Sequence, residues 1–192
     1  MFRHSWLLST LREAHEIRTR QNWSRQQILN HQQQNFTKLL NYVWEHSPFY
    51  RDYYSSHGIT AESLADIKVT DLPIINKEIL MDNFDTVSND PFLKRRPLET
   101  WIHSDEPLGL YKNHYVVIHS SGSSGTMGIF AYDRHAWSRS RGVMIARNSI
   151  SLRGKHLFRR KRIAYCGAIH GRFASVTSAV TTSPLVANLQ LC

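Results

Sequence analysis

Negative charge is what the C-terminal part of this sequence lacks. All 15 Asp and Glu residues lie at or before Asp133, with 13 of the 24 Lys and Arg; the other 11 basic residues follow with no acid among them, so the net +9 is −2 up to Asp133 and +11 beyond it. Cysteine is scarce too. Cys166 and Cys192 are too few for a disulfide framework, and no Cys/His spacing suits zinc, so no metal ligands are assigned. No apolar run approaches the ~20 residues of a membrane-spanning helix. Trp6 to Leu11 is too short for the core of a secretory leader, and Glu13 and Glu16 run against an organelle presequence. These absences predict a chain without a membrane span, in a reducing cytoplasm. No internal repeat appears, and no linker is rich enough in Gly, Pro or Ser to prove a domain boundary.

What is present most conspicuously is Tyr115 to Tyr132, YVVIHSSGSSGTMGIFAY. Tyr115 to Ile118 and Ile129 to Tyr132 are rich in β-branched and aromatic residues, which predicts two strands joined by the intervening loop. That loop carries Ser120, Ser121, Gly122, Ser123, Ser124, Gly125, Thr126 and Gly128, five hydroxyls and three glycines with no charged side chain. Glycines let the backbone turn several N–H groups toward one point, and hydroxyls donate to phosphate oxygens or reach a metal ion. By composition alone such a link is more often a flexible hairpin loop than an anion site. It is not a Walker A loop: the lysine after the last glycine is missing, and a strand follows instead of a helix.

The basic surplus behind the loop runs from Arg134, Arg139, Arg141 and Arg147 through Arg153 and Lys155 to Arg159, Arg160, Lys161 and Arg162. One reading is a solvated face, or one whose acidic partners lie elsewhere. A second is an electropositive wall for ATP, coenzyme A or an anionic acid substrate. Nucleic acid fits least well, because Arg159 to Arg162 has no interleaved aromatics on which bases would stack.

Along the chain, Trp6, Leu7, Leu11 and Ala14 recur at helical spacing, and Ile28, Leu29, Gln32, Phe36, Leu39, Leu40 and Val43 form a second stripe. Ser47-Pro48 starts a helix whose Phe49, Tyr50, Tyr53 and Tyr54 make an aromatic core stripe before Gly58 ends it. A helical turn follows over Glu62 to Ile67, then a break at Leu72-Pro73 and a helix capped by Asn76 with Ile79, Leu80 and Phe84 apolar. Asn89-Asp90-Pro91 is a loop, Leu98 to His103 a short helix, and a soft boundary falls near Pro107. Beyond the hydroxyl loop, Asp133 caps a helix to about Asn148 with Trp137, Val143, Met144 and Ile145 inward. Ile163 to Ala168 is a buried strand ending at Ile169-His170-Gly171. Because sites in α/β sheets gather at strand ends, His170 and Gly171 are candidate pocket residues. His119 is weighed beside them, and neither histidine has a Ser or Asp partner fixed by the sequence, so catalytic residues stay unassigned. From Phe173 on no residue is charged, and Ser183 to Leu191 reads as an apolar edge strand that invites self-association.

Two motifs resemble a known family. His119-Ser-Ser-Gly-Ser-Ser-Gly-Thr-Met-Gly128, followed by an apolar strand and Asp133-Arg134 opening a helix with Trp137, is similar to the nucleotide-phosphate loop of adenylate-forming ligases, most of all the phenylacetate-coenzyme A ligase family. Upstream, Leu39-Leu40-Asn-Tyr-Val-Trp-Glu-His-Ser-Pro48-Phe49-Tyr50-Arg51 and Leu72-Pro73-Ile74-Ile75-Asn76-Lys77 resemble that family's preamble to the loop. The resemblance implies an α/β chain: an N-terminal helical arm, then the first part of the large domain of an adenylate-forming enzyme, truncated. Residues 1–106 would be the mainly helical region and 107–192 a partial nucleotide-binding region with its loop at 119–128. It implies ATP and Mg2+, a small carboxylic acid as substrate and possible transfer to coenzyme A, with the chain alone expected to be inactive. Where the family often has lysine and proline after the second glycine, this chain has Thr126 and Met127. Magnesium or an arginine of the next helix would then offset the phosphate charge. The alternatives are a non-catalytic basic module for an anionic partner, or an inactive product stable only with a partner chain.

Overall fold

The structure is a computed structural model that describes residues 6–122, 125–147, 161–165, 171–181 and 187–191. Among the described residues it is mostly helical, with two small two-stranded sheets, a composition compatible with a broadly α/β chain. Contacts gather into two compact units that interleave along the sequence. One comprises Met1–Asn22, Glu99–Gly122 and Ile129–Cys192; the other comprises Trp23–Leu98 and Ser123–Gly128. Among the described residues no helix is long and apolar enough to cross a membrane.

The unit holding Trp23–Leu98 opens on a local signal: Ser24 accepts the Gln27 N–H at 3.3 Å while Gln27 Oε1 accepts the Ser24 N–H at 2.8 Å, a reciprocal cap that the sequence reading did not single out. The capped helix is Arg25–His46; the chain's first helix, Leu7–Thr19, belongs to the other unit, so these are α2 and α1 in chain order. Leu40 of α2 is buried with Tyr54, Ile59 and Leu64, and Phe36, Val43 and Trp44 pack around them. Ile28, Leu29 and Leu39, expected on the same stripe, are exposed. The reason is length: a helix of 22 residues is about 33 Å long, and the short elements beside it cover only part of one face.

Helix α3, Pro48–Ser56, begins as expected, with Ser47 Oγ accepting the Tyr50 N–H and Pro48 in the first turn, where it needs no donor. Phe49 and Tyr54 are buried, so the aromatic stripe is core, and Gly58 takes φ +81° just beyond the helix. Single 3-10 turns at Ala61–Ala65 and Val69–Asp71 lead to α4, Lys77–Asp82, where Asn76 Oδ1 accepts the Ile79 N–H at 2.8 Å. Phe84 is not on that helix. Asn83 interrupts it, and α5 is the separate Phe84–Val87. Asp85 Oδ1 then accepts the Arg95 N–H at the start of α6, Arg95–Ile102, three residues earlier than expected from the sequence.

In the other unit, β1 (Val116–His119) and β2 (Ile129–Tyr132) pair antiparallel with Val116 opposite Tyr132 and His119 opposite Ile129. Val116 and Ile118 pack on Trp137 of α7, Arg134–Arg147, with Trp6, Leu110 and Tyr132 around them. Asp133 Oδ1 accepts the Ala136 N–H at 2.7 Å, the expected cap. The inward face of α7 is Trp137, Ser138, Gly142 and Ala146, whereas Val143 and Met144 are exposed, contrary to the sequence reading. Small residues face inward because α1 crosses there: a Cβ at Gly142 would stand 2.6 Å from Glu13 Cβ and 3.0 Å from the Ala14 nitrogen. A second sheet pairs β3, Lys161–Tyr165, parallel to β4, Ala187–Leu191, with α8, Ala174–Val180, between them in sequence. Residues 166–170 and 182–186, which carry parts of both expected strands, lie outside the described residues.

Candidate functional site

The register of β1 and β2 makes residues 120–128 the link of one hairpin, as the two apolar flanks predict. Gly122 and Gly125 adopt φ +73° and +102°, the left-handed region in which a side chain is strained. At Gly125 a Cβ would meet nothing within 4 Å, so conformation and not crowding calls for glycine there. Ser121 and Gly125 are exposed, Ser120, Gly122 and Thr126 are half-buried, and Gly128 is buried where the chain re-enters β2. Ser123 and Ser124 lie outside the described residues. The contact units part after Gly122, so each side of the loop is described by itself.

On the β1 side the structure brings together residues that the sequence keeps far apart. His119 Nδ1 lies 2.9 Å from the Ser120 carbonyl oxygen, and the His119 N–H donates to the Arg172 carbonyl at 3.2 Å. The imidazole packs on the Phe173 ring with centroids 4.4 Å apart. Gly171, at φ +72°, sits beside both rings: a Cβ there would be 3.7 Å from His119 Nε2 and 3.4 Å from the Phe173 ring. Of the two pocket candidates, Gly171 is thus beside the root of the hydroxyl loop, and His170 lies outside the described residues. Arg172 and Phe173 were missed as site residues. The available signal was weak, an arginine set in the otherwise uncharged run from Ile163 to Cys192.

Arg172 is buried, with its guanidinium 3.7 Å over the Trp101 ring. It donates to the carbonyls of Ile102 at 3.3 Å and Glu106 at 3.0 Å. Burial pushes its pKa down, partly offset by the Glu106 charge. The side chain therefore ties the C-terminal end of α6 and the segment after it to the strand that carries His119.

Arg141, expected in the electropositive wall behind the loop, is instead turned inward. Its guanidinium donates to the Ser178 carbonyl at 2.9 Å and to Thr181 Oγ1 at 2.8 Å, and burial lowers its pKa. It serves to hold α8 against α7. Arg134, Arg139 and Arg147 are exposed on α7, and Arg153, Lys155, Arg159 and Arg160 lie outside the described residues.

Among the described residues no three His, Cys, Asp or Glu side chains gather as a metal site. The hydroxyls of the loop suit magnesium that arrives on a polyphosphate better than a resident ion, since magnesium keeps waters and phosphate oxygens as its main ligands. The chain matches no protein-family model, no curated protein and no solved structure. The family resemblance is therefore carried by the two motifs alone.

Proposed function

We propose that the hairpin link His119–Gly128 binds the phosphates of a nucleotide, and that the chain is the N-terminal part of an AMP-forming acid–thiol ligase acting on MgATP and a small carboxylic acid. In that reaction the carboxylate attacks the α-phosphorus of ATP, giving an acyl-adenylate and pyrophosphate, and a thiol such as coenzyme A then takes the acyl group and releases AMP. The observation that carries the reading is the hairpin itself: a strand-to-strand link with two left-handed glycines, exposed or half-exposed hydroxyls and no acidic side chain. A left-handed glycine frees its neighbouring amides to turn toward a ligand, and hydroxyls add donors that carry no charge to be desolvated. The loop's role is to position the polyphosphate, not to attack it.

Titration of the purified chain with MgATP tests this. One charge-assisted hydrogen bond contributes about 1.5–3 kcal/mol, so Ser123→Ala/Ser124→Ala should weaken binding by about tenfold or more. Equal affinity of variant and wild type would overturn the reading. A second reading, a basic module for an anionic partner, is favoured by the exposed Arg134, Arg139 and Arg147 in a segment without acids. It predicts instead that Arg139→Ala/Arg147→Ala abolishes anion binding and that the serine variant leaves it intact.

A further inference from the structure

We infer that Nε2 of His119 is a phosphate-recognising group at the root of the hydroxyl loop, one whose contribution grows as the ring takes up a proton; this rests on the reading of the loop as a phosphate site. A carbonyl oxygen only accepts, so the 2.9 Å contact with Ser120 places the hydrogen on Nδ1. In the neutral ring Nε2 then holds the lone pair, and in the cation it becomes a charged donor. No described residue hydrogen-bonds Nε2.

The ring is also aimed. Phe173 packs on its face, the Arg172 carbonyl holds its backbone, and the Ser120 carbonyl fixes its rotation. Gly171 adds no side chain beside the ring: a Cβ there would stand 3.7 Å from Nε2. The same residue has φ +72°, so glycine is called for by conformation.

The charges around the ring leave a protonated imidazole to be neutralised from outside. Ile129 opposite it on β2 is apolar, residues 120–122 offer hydroxyls and amides, and α8 has no titratable side chain. Arg172 is the charged residue of the packed segment, and its guanidinium is turned away onto Trp101 and the carbonyls of Ile102 and Glu106. No described carboxylate comes within 4.0 Å of the ring nitrogens. A phosphate, with a charge between −1.5 and −2 near neutrality, supplies what the fold does not.

The test compares wild type, His119→Asn and His119→Gln in binding of MgATP and of inorganic pyrophosphate between pH 8 and pH 6. Asparagine keeps a donor near the Nδ1 position but removes Nε2, and glutamine puts a neutral amide near Nε2. A charged Nε2 donor holds a phosphate oxygen more strongly than a neutral group does, so wild-type affinity should rise about three- to tenfold on acidification relative to either variant. Dividing by the variants cancels the titration of the ligand itself. In the wild type, the 15N resonance of Nε2 should shift when pyrophosphate is added, a readout independent of whether the variants fold. Parallel pH profiles, or an unmoved Nε2 resonance, would overturn the inference. If Ser123→Ala/Ser124→Ala still weakens binding in that case, the phosphate loop stands without His119; if wild type binds neither probe, both readings fall.

Discussion

Replacing Gly142 by alanine tests the crossing of α1 and α7. The added Cβ would lie 2.6 Å from Glu13 Cβ, 3.2 Å from the Glu13 carbonyl carbon and 3.0 Å from the Ala14 nitrogen. Carbon atoms in contact prefer about 3.5–4.0 Å. Two of the three obstructing atoms are backbone and the third is a Cβ, so no rotamer change makes room and the helices must separate. Overpacking of this kind costs about 2–3 kcal/mol, near the upper part of its usual range. Removing a glycine from a helix interior returns about 1 kcal/mol, which leaves a net loss of about 1–2 kcal/mol. For a chain of this size that is a fall in Tm of about 2–8 °C. Urea unfolding and amide exchange together would measure it. Exchange should quicken in α1 and α7 and stay unchanged in α2, which lies in the other unit. Glu13→Gly removes the nearest obstructing atom, so its combination with Gly142→Ala should cost less than the sum of the two single changes. A gain of about 1 kcal/mol from Gly142→Ala, the usual result at an uncrowded helical glycine, would refute the crossing.

Other outcomes follow from the caps and from buried polar groups. Ser24→Ala and Asp133→Ala each remove a side-chain acceptor of a helix N-terminal N–H, and each should lower stability by about 1 kcal/mol in urea titrations. Arg172→Ala should be costlier, about 2–4 kcal/mol, because it strips the Trp101 ring and leaves two carbonyls without their donor; a loss under 0.5 kcal/mol would mean the guanidinium is not seated there. Burial holds the pKa of Tyr50 above its usual value, and burial with the neighbouring tyrosine charges does the same for Tyr54. A raised folded-state pKa gives stability that is fully present below the unfolded value and is lost as pH rises through the folded one. Stability of the Trp23–Leu98 unit should therefore hold up to about pH 10 and decline above it. Tyr54→Phe should flatten that decline, and an unchanged alkaline profile would remove Tyr54 as its source.

Helix starts were legible at several local signals, although the Ser24–Gln27 capping box went unread. Ser47-Pro48, Asn76 and Asp133 each cap a helix because a short side chain reaches an N–H three residues on, an interaction that needs no distant partner. The hairpin was legible for the same reason: β-branched flanks and glycines act within ten residues of one another. Which side of a helix is buried was another matter. Leu39 and Met144 carry apolar side chains yet are 61% and 51% exposed, whereas Ser138 and Gly142 are buried. Periodicity marks where apolar residues recur, but the face that is covered depends on which element arrives to cover it.

By itself the sequence determined the local elements: the capped helices, the strand–loop–strand order, the acid-free C-terminal stretch and the hydroxyl-glycine composition of the loop. The tertiary structure alone decided that α1 would cross α7 at Gly142, and that Arg141 and Arg172 would turn inward instead of facing an anion. It also brought Gly171 and Phe173 to the ring of His119, about fifty residues back along the chain. The physical reason is range. Caps and turns are settled by atoms a few residues apart, while burial and the pairing of a buried cation with carbonyls depend on segments whose meeting is fixed only when the whole chain packs.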